Sequence, residues 1–173
     1  MLQIASHFWR MCLLRAGPER LPSSNFATAF IFGIYLLISF VVVMMIRPKE
    51  PLGALVGTLA IGILYQAGVT FLLLMFKGVP GRFRATWSAL LGTNALMLII
   101  LLPFNLIILK ADSETLRDLA DSATWVCLGW WLAIAGHIYH KSVDISILQG
   151  SAIAFLIELL GVMTAFYLFP RVA

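Results

Sequence analysis

Charge is scarce in this chain of 173 residues. Asp, Glu, Lys and Arg make up 12% of it against 61% hydrophobic residues, and the mean hydropathy is +0.98. Soluble domains carry roughly 25% charged residues, so the composition excludes an ordinary soluble domain. Cysteine is nearly absent as well. Cys12 falls at an interfacial position and Cys127 inside an apolar run, too far apart in depth to pair, and no disulfide is expected. The chain has no Gly-x-Ser-x-Gly, no His-Glu-x-x-His, no phosphate-binding glycine loop and no pair of intramembrane aspartates, so nothing points to an enzyme. It also lacks internal repeats, low-complexity tracts and the alternating pattern of a membrane β-strand. The net charge of +4 is dispersed, which excludes a nucleic-acid surface and fits a basic rim facing anionic lipid headgroups.

Long apolar runs fill the remainder. Five stand out, at about residues 26–46, 51–76, 85–109, 123–139 and 145–169. A hydrocarbon core of about 30 Å takes about 20 residues of helix at about 1.5 Å each, and four of the runs exceed that. The run ATWVCLGWWLAIAGHIY is shorter, but Trp125 and Tyr139 mark its ends as headgroup-level aromatics do, and it is read as a span. Continuous apolar runs satisfy their own backbone groups in lipid only as helices. The expected fold is therefore all-α: a polytopic transmembrane bundle of five spans over residues 26–173, preceded by an amphipathic interfacial helix and linker in residues 1–25.

That leading segment carries Arg10, Arg15 and Arg20 and has no apolar core followed by a cleavage site, so no cleavable signal is expected. On a helical wheel Gln3, Ser6, His7 and Arg10 share a polar sector, with Phe8, Trp9, Met11 and Cys12 on the remainder, as in a helix lying in the interface or packed on the bundle. Gly17-Pro18 stops it. Of the 12 Lys and Arg residues, an inside amino terminus places Arg10, Arg15, Arg20, Lys77, Arg82, Arg84 and Lys141 inside, the larger share. The positive-inside rule then predicts a cytoplasmic amino terminus and a carboxyl terminus on the opposite side.

One carboxylate, Glu158, sits in the middle of the last run, AFLIELLGVMTAF. Gly150, Ala154, Gly161 and Ala165 fall beside it at spacings of three and four and form a small-residue stripe, the signature of close helix packing. Glu158 is thus expected to face protein, in its neutral form, with Gln66 of the second run as a hydrogen-bond partner at similar depth. Gly53 and Gly57 form a Gly-x-x-x-Gly pair, and Asn94 of the third run is expected to look toward a different neighbour. Two readings of Glu158 compete with packing: a proton or ion relay, and a docking point for a partner.

Two other groups are candidates. His137 and His140, three apart at the inner end of the fourth run with Asp144 nearby, could supply part of a metal site, though such residues are also the ordinary fringe of a membrane helix. Glu114, Asp118 and Asp121 share a face of a short helix expected in KADSETLRDLADSATW, read as a solvated acidic face outside the membrane. No cofactor is implied.

The lead helix ending RAGPERLP, the third span beginning ATWSALLGTNALMLIILLPF and the closing pair CLGWWLAIAGHIYHKSVDISILQGSAIAFLIELLGVMTAF together resemble the Yip family of five-span membrane proteins in its compact bacterial form. The family's Asp-Leu-Tyr-Gly-Pro motif has no counterpart here, nor does the longer cytoplasmic region that links eukaryotic members to Rab-type GTPases. The resemblance implies a helical protein of the inner or plasma membrane, with no catalytic residues to carry over. The expectation is a non-enzymatic membrane protein that organises or assembles with other membrane proteins, copies of itself included, its partners being the bilayer and those proteins. The alternative is a small proton- or cation-coupled transporter or channel using Glu158. A water-filled cavity at Glu158 would favour the alternative.

Overall fold

The computed structural model describes residues 2–21 and 24–169, with all side chains in them except those of 2–5 and 20. Expectations for Gln3 and for residues 170–173 lie outside the described side chains and residues. All regular structure among the described residues is helical. The helices are α1 (Leu2–Cys12), α2 (Asn25–Ile46), α3 (Leu52–Phe76), α4 (Phe83–Lys110), α5 (Glu114–Val143) and α6 (Ile147–Leu168), with single 3-10 turns at Pro18–Arg20 and Pro80–Arg82.

Local chemistry sets most of these limits. The Ser24 hydroxyl accepts from the Ala27 amide at 3.2 Å and starts α2, and Pro51, with φ of −65°, starts α3. Asp144 ends α5 in the left-handed region at φ of 55°, which a short polar side chain tolerates. Two residues later Ser146 and Gln149 exchange side-chain and backbone hydrogen bonds at 3.0 and 3.1 Å and start α6. The reversal between α5 and α6 is therefore encoded by Asp144, Ser146 and Gln149. Pro103 lies inside α4 without ending it, as prolines in long apolar helices commonly do.

Four helical stretches are long and apolar enough to cross a membrane: α2, α3, the segment Pro80–Lys110 that contains α4, and α6. α5 is different. The separate short helix expected before the fourth run does not exist on its own, because nothing between Ala120 and Trp125 breaks a helix, and the acidic stretch and the apolar run form one helix of 30 residues. Its Trp, His and Gly residues lower its hydropathy, and its second half is well enclosed: Trp131, Ile134–Tyr139, Ser142 and Val143 are all buried.

α4 packs on α2 and α5, α5 on α6, and α6 on α3, while α2 and α3 touch only lightly. α1 lies across α4 and α5. Phe8, Met11 and Cys12 are buried in that contact, the Trp130 indole N–H donates to the Cys12 carbonyl at 2.8 Å, and Trp9 and Leu13 remain exposed. Burial pushes the Cys12 thiol up to about 11. α1 thus presents one face to the bundle and leaves Trp9 outward beside Ser6 and Arg10.

Backbones meet at Gly136 and Gly150. A Cβ on Gly150 would stand 2.7 Å from the Gly136 carbonyl oxygen, and one on Gly136 would stand 2.9 Å from the Ser151 amide nitrogen and clash with its hydroxyl. The Ser151 hydroxyl completes the contact by donating to the Leu132 carbonyl at 2.9 Å. Gly150→Ala is therefore expected to destabilise the protein by about 1–3 kcal/mol, seen as a lower unfolding midpoint in detergent. Gly53→Ala, at a position with open space, should leave the midpoint unchanged or slightly higher. Equal effects at the two sites would refute the contact. Cys12 offers a second check. Its thiolate is about 100-fold rarer at pH 8 than that of a thiol at 9.0, so alkylation should be slow at pH 8 and accelerate toward pH 11. Rapid labelling of native protein at pH 8 would show that α1 does not stay docked.

Candidate functional site

Packing is uneven along the bundle. Toward the α5–α6 turn, α4 buries Thr86 and Ser88–Thr93, and α5 buries Trp131 and Ile134–Tyr139 against them. Polar groups clasp this end: Arg82 donates to the Ser142 carbonyl at 2.9 Å, the Thr86 and Ser142 hydroxyls meet at 2.8 Å, and the Thr70 and Tyr139 hydroxyls meet at 2.8 Å. Beyond Met97 no residue of α4 is fully buried. There the helices part and leave a cavity of about 420 Å³, walled by Tyr35 of α2, Asn94, Met97, Leu98 and Leu101 of α4, Asp121, Thr124, Trp125, Leu128 and Trp131 of α5, and Glu158 of α6.

The floor is fixed by a hydrogen bond from the Trp131 indole N–H to the Asn94 side-chain oxygen. That bond satisfies a polar atom of each residue and holds both side chains in one arrangement. Glu158 stands eleven residues into α6, about 16 Å along its axis. Asp121 and Leu128 are seven residues apart on α5, so the second carboxylate lies about 10 Å further along the cavity. Glu158 makes no hydrogen bond or ion pair among the described residues, and no Lys, Arg or His lines the cavity. A mostly apolar cavity with two carboxyl groups can therefore accept a proton or a cation, and it has no basic side chain to hold an anion.

The structure puts the other sequence candidates elsewhere. Gly150, Ala154, Gly161 and Ala165 are all buried, and Ile157 joins them, while Glu158 is exposed to the cavity. Glu158 lies about 60° around the helix from Gly161, at the rim of the stripe and not within it, which corrects the expected packing direction. Gln66 is buried on α3 and does not bond to Glu158. A Cβ on Gly161 would lie 3.8 Å from the Gly62 Cα, which puts Gln66 level with Ile157, so the depth matches and the direction does not. The polar links from α3 are Thr70 to Tyr139 and Tyr65 to Thr164, the latter at 3.0 Å. Gly57 is covered by the Phe169 ring and Gly53 is open, so this pair forms no helix contact of its own. Asn94, expected to face away from Glu158, shares its cavity.

His137 and His140 stand side by side, with ring centroids 6.4 Å apart. His140 Nδ1 donates to the Ile145 carbonyl at 2.6 Å, which ties the ring to the turn, and His137 Nε2 is buried without a partner. No group of three or more His, Cys, Asp or Glu residues converges on a metal-sized site among the described residues. Asp121 was the residue the sequence hid. It is exposed, as its place in an acidic stretch suggested, and the continuity of α5 sets it seven residues from Leu128 at the rim of the cavity.

No family model matches the chain, and no curated protein or solved structure matches it. Fold and cavity together define a class: a protein whose described residues form helices, four of them long and apolar enough to cross a membrane, with a cavity among them that two carboxyl groups line.

Proposed function

We propose that this chain is a five-span protein of the inner (plasma) membrane, amino terminus cytoplasmic, that binds a proton or a cation at Glu158 and works as a small carrier, not as an enzyme. The observation that carries the reading is the cavity itself: a mid-helix carboxylate without a hydrogen bond, facing a chamber that holds Asn94 and a second carboxylate, Asp121. A Glu used for packing would be enclosed and hydrogen-bonded, since an unsatisfied buried carboxyl group is costly. Ionisable groups at such depth that face a cavity are the usual stations of ion and proton pathways. Assembly with other membrane proteins, suggested by the Yip-like span layout, would need another surface, because the stripe of α6 is spent on α5 and α3 of the same chain.

α5 counts as the fifth span in this reading. Its enclosed half needs less hydropathy than a lipid-facing helix, and its length of 30 residues is ample. Single cysteines at Ser113 and Lys141, both exposed, in a background without Cys12 and Cys127, test this with an impermeant maleimide. The first should label from outside intact cells and the second only after the membrane is opened. Labelling of both from one side would remove α5 from the set of spans.

A lipophilic carbodiimide tests the cavity. It should modify Glu158 in native membranes, and Glu158→Gln should abolish that modification while expression and thermal stability persist. In proteoliposomes the same variant should lose proton or cation flux by at least about tenfold, because an amide cannot exchange a proton. Full flux in Glu158→Gln would return the residue to a structural role.

A further inference from the structure

We propose that the ligand of the Glu158 cavity is a lipophilic organic cation, such as a quaternary ammonium or phosphonium or a protonated amine carrying apolar groups. The inference rests on the carrier reading above and names the chemical class of what is carried.

Three features of the wall select this class. The first is charge: Glu158 and Asp121 are the ionisable acids of the cavity, and no basic side chain lines it. The second is the aromatic content, since Tyr35, Trp125 and Trp131 contribute three of its walls' side chains and Met97 adds a polarisable thioether. Aromatic rings attract cations through their negative faces, most strongly when the cation is poorly hydrated, and Trp is the best of them. The third is size. A volume of about 420 Å³ falls within the range of small-molecule sites and far exceeds what a proton or a bare metal ion occupies.

A hard metal ion fits poorly. Ca²⁺ takes about 6–8 oxygen ligands and Mg²⁺ about six, whereas the two carboxylates stand at different depths and the Asn94 oxygen already accepts from Trp131. The remaining wall is aliphatic. A diffuse organic cation has a small hydration penalty and needs only one or two counter-charges, one near mid-helix and one closer to the start of α5, with apolar surface between. That is the arrangement along Glu158, Leu128, Trp125 and Asp121.

The test uses the full chain in nanodiscs and tetraphenylphosphonium as probe, with tetraphenylborate as an anion of the same shape. Tetraphenylphosphonium should bind saturably at one site per chain and protect Glu158 from carbodiimide. Glu158→Gln should weaken binding by about tenfold or more and Asp121→Asn by less, since the outer carboxylate is better solvated. Tetraphenylborate should neither bind there nor protect. Equal binding and protection by the two ions, or phosphonium binding unchanged in Glu158→Gln, would overturn the proposal. The wild-type protection experiment stands independently of how the variants fold. If the carbodiimide labels Glu158 but the phosphonium neither binds nor protects, the ligand class fails and the cavity reading stands. If Glu158 is not labelled at all, both fail.

Discussion

α6 changes partners along its length, and the cavity follows from that. At its start it is held to α5 by two glycine backbones, Gly136 against Gly150, and by the Ser151 hydroxyl on the Leu132 carbonyl. Further on it is held to α3, where Gly161 nears Gly62, Thr164 meets Tyr65 and the Phe169 ring covers Gly57. A straight helix tied to one neighbour below and to another above must leave a gap beside the first. Glu158 lies on the stretch between the two attachments, on the side that faces the gap. Without a small residue at Gly150, α5 and α6 would stand apart along their whole length and the chamber would have no floor.

The polar clasp near the α5–α6 turn makes the same point in another way. Arg82, Thr86 and Ser142 join α4 to α5, and Thr70 and Tyr139 join α3 to α5, all within the tightly packed half. In hydrocarbon such bonds contribute about 0.6–2 kcal/mol each, modest singly but concentrated here in one layer. The other half has fewer bonds between helices and no fully buried residue of α4 past Met97. Rigidity at one end and looseness at the other is the asymmetry expected of a bundle that opens toward one side.

Much of the fold was legible in the sequence because length and hydropathy act one residue at a time. Span limits read from four of the five apolar runs, such as 26–46 against Asn25–Ile46, differ by no more than two residues from the helices, while the run 123–139 lies well inside α5. The small-residue stripe on α6 was also readable, since spacing alone puts Gly150, Ala154, Gly161 and Ala165 on one face. Direction within a neighbourhood was not. Gln66 and Glu158 are level, but one turns into the α3 contact and the other into the cavity, and counting residues along two helices carries no information about their relative rotation. The same limit hid the convergence of Asn94, Asp121 and Glu158, which belong to three helices and sit 27 and 37 positions apart in the chain. α5 was misdivided for a different reason: a change from acidic to apolar residues looks like a boundary, although only Gly, Pro or a cap breaks a helix.

A carboxylate in an apolar chamber cannot remain both charged and alone, because ionisation without a counter-charge or hydrogen bonds is far more costly there than in water. Glu158 has neither among the described residues. Two occupants remove the cost, a proton on the carboxyl group or a cation beside it, and each excludes the other at a single oxygen pair. A cation entering from one side is then favoured only as the proton leaves, so exchange follows from electrostatics at one residue. Asp121 extends the argument along the cavity, since a second acid about 10 Å closer to the start of α5 would give the proposed cation an intermediate partner. For the carrier proposed above, the helices would have to expose Glu158 to each side in turn, and the loosely packed half around Leu101, Asp121 and Trp125 is where the fold resists such movement least.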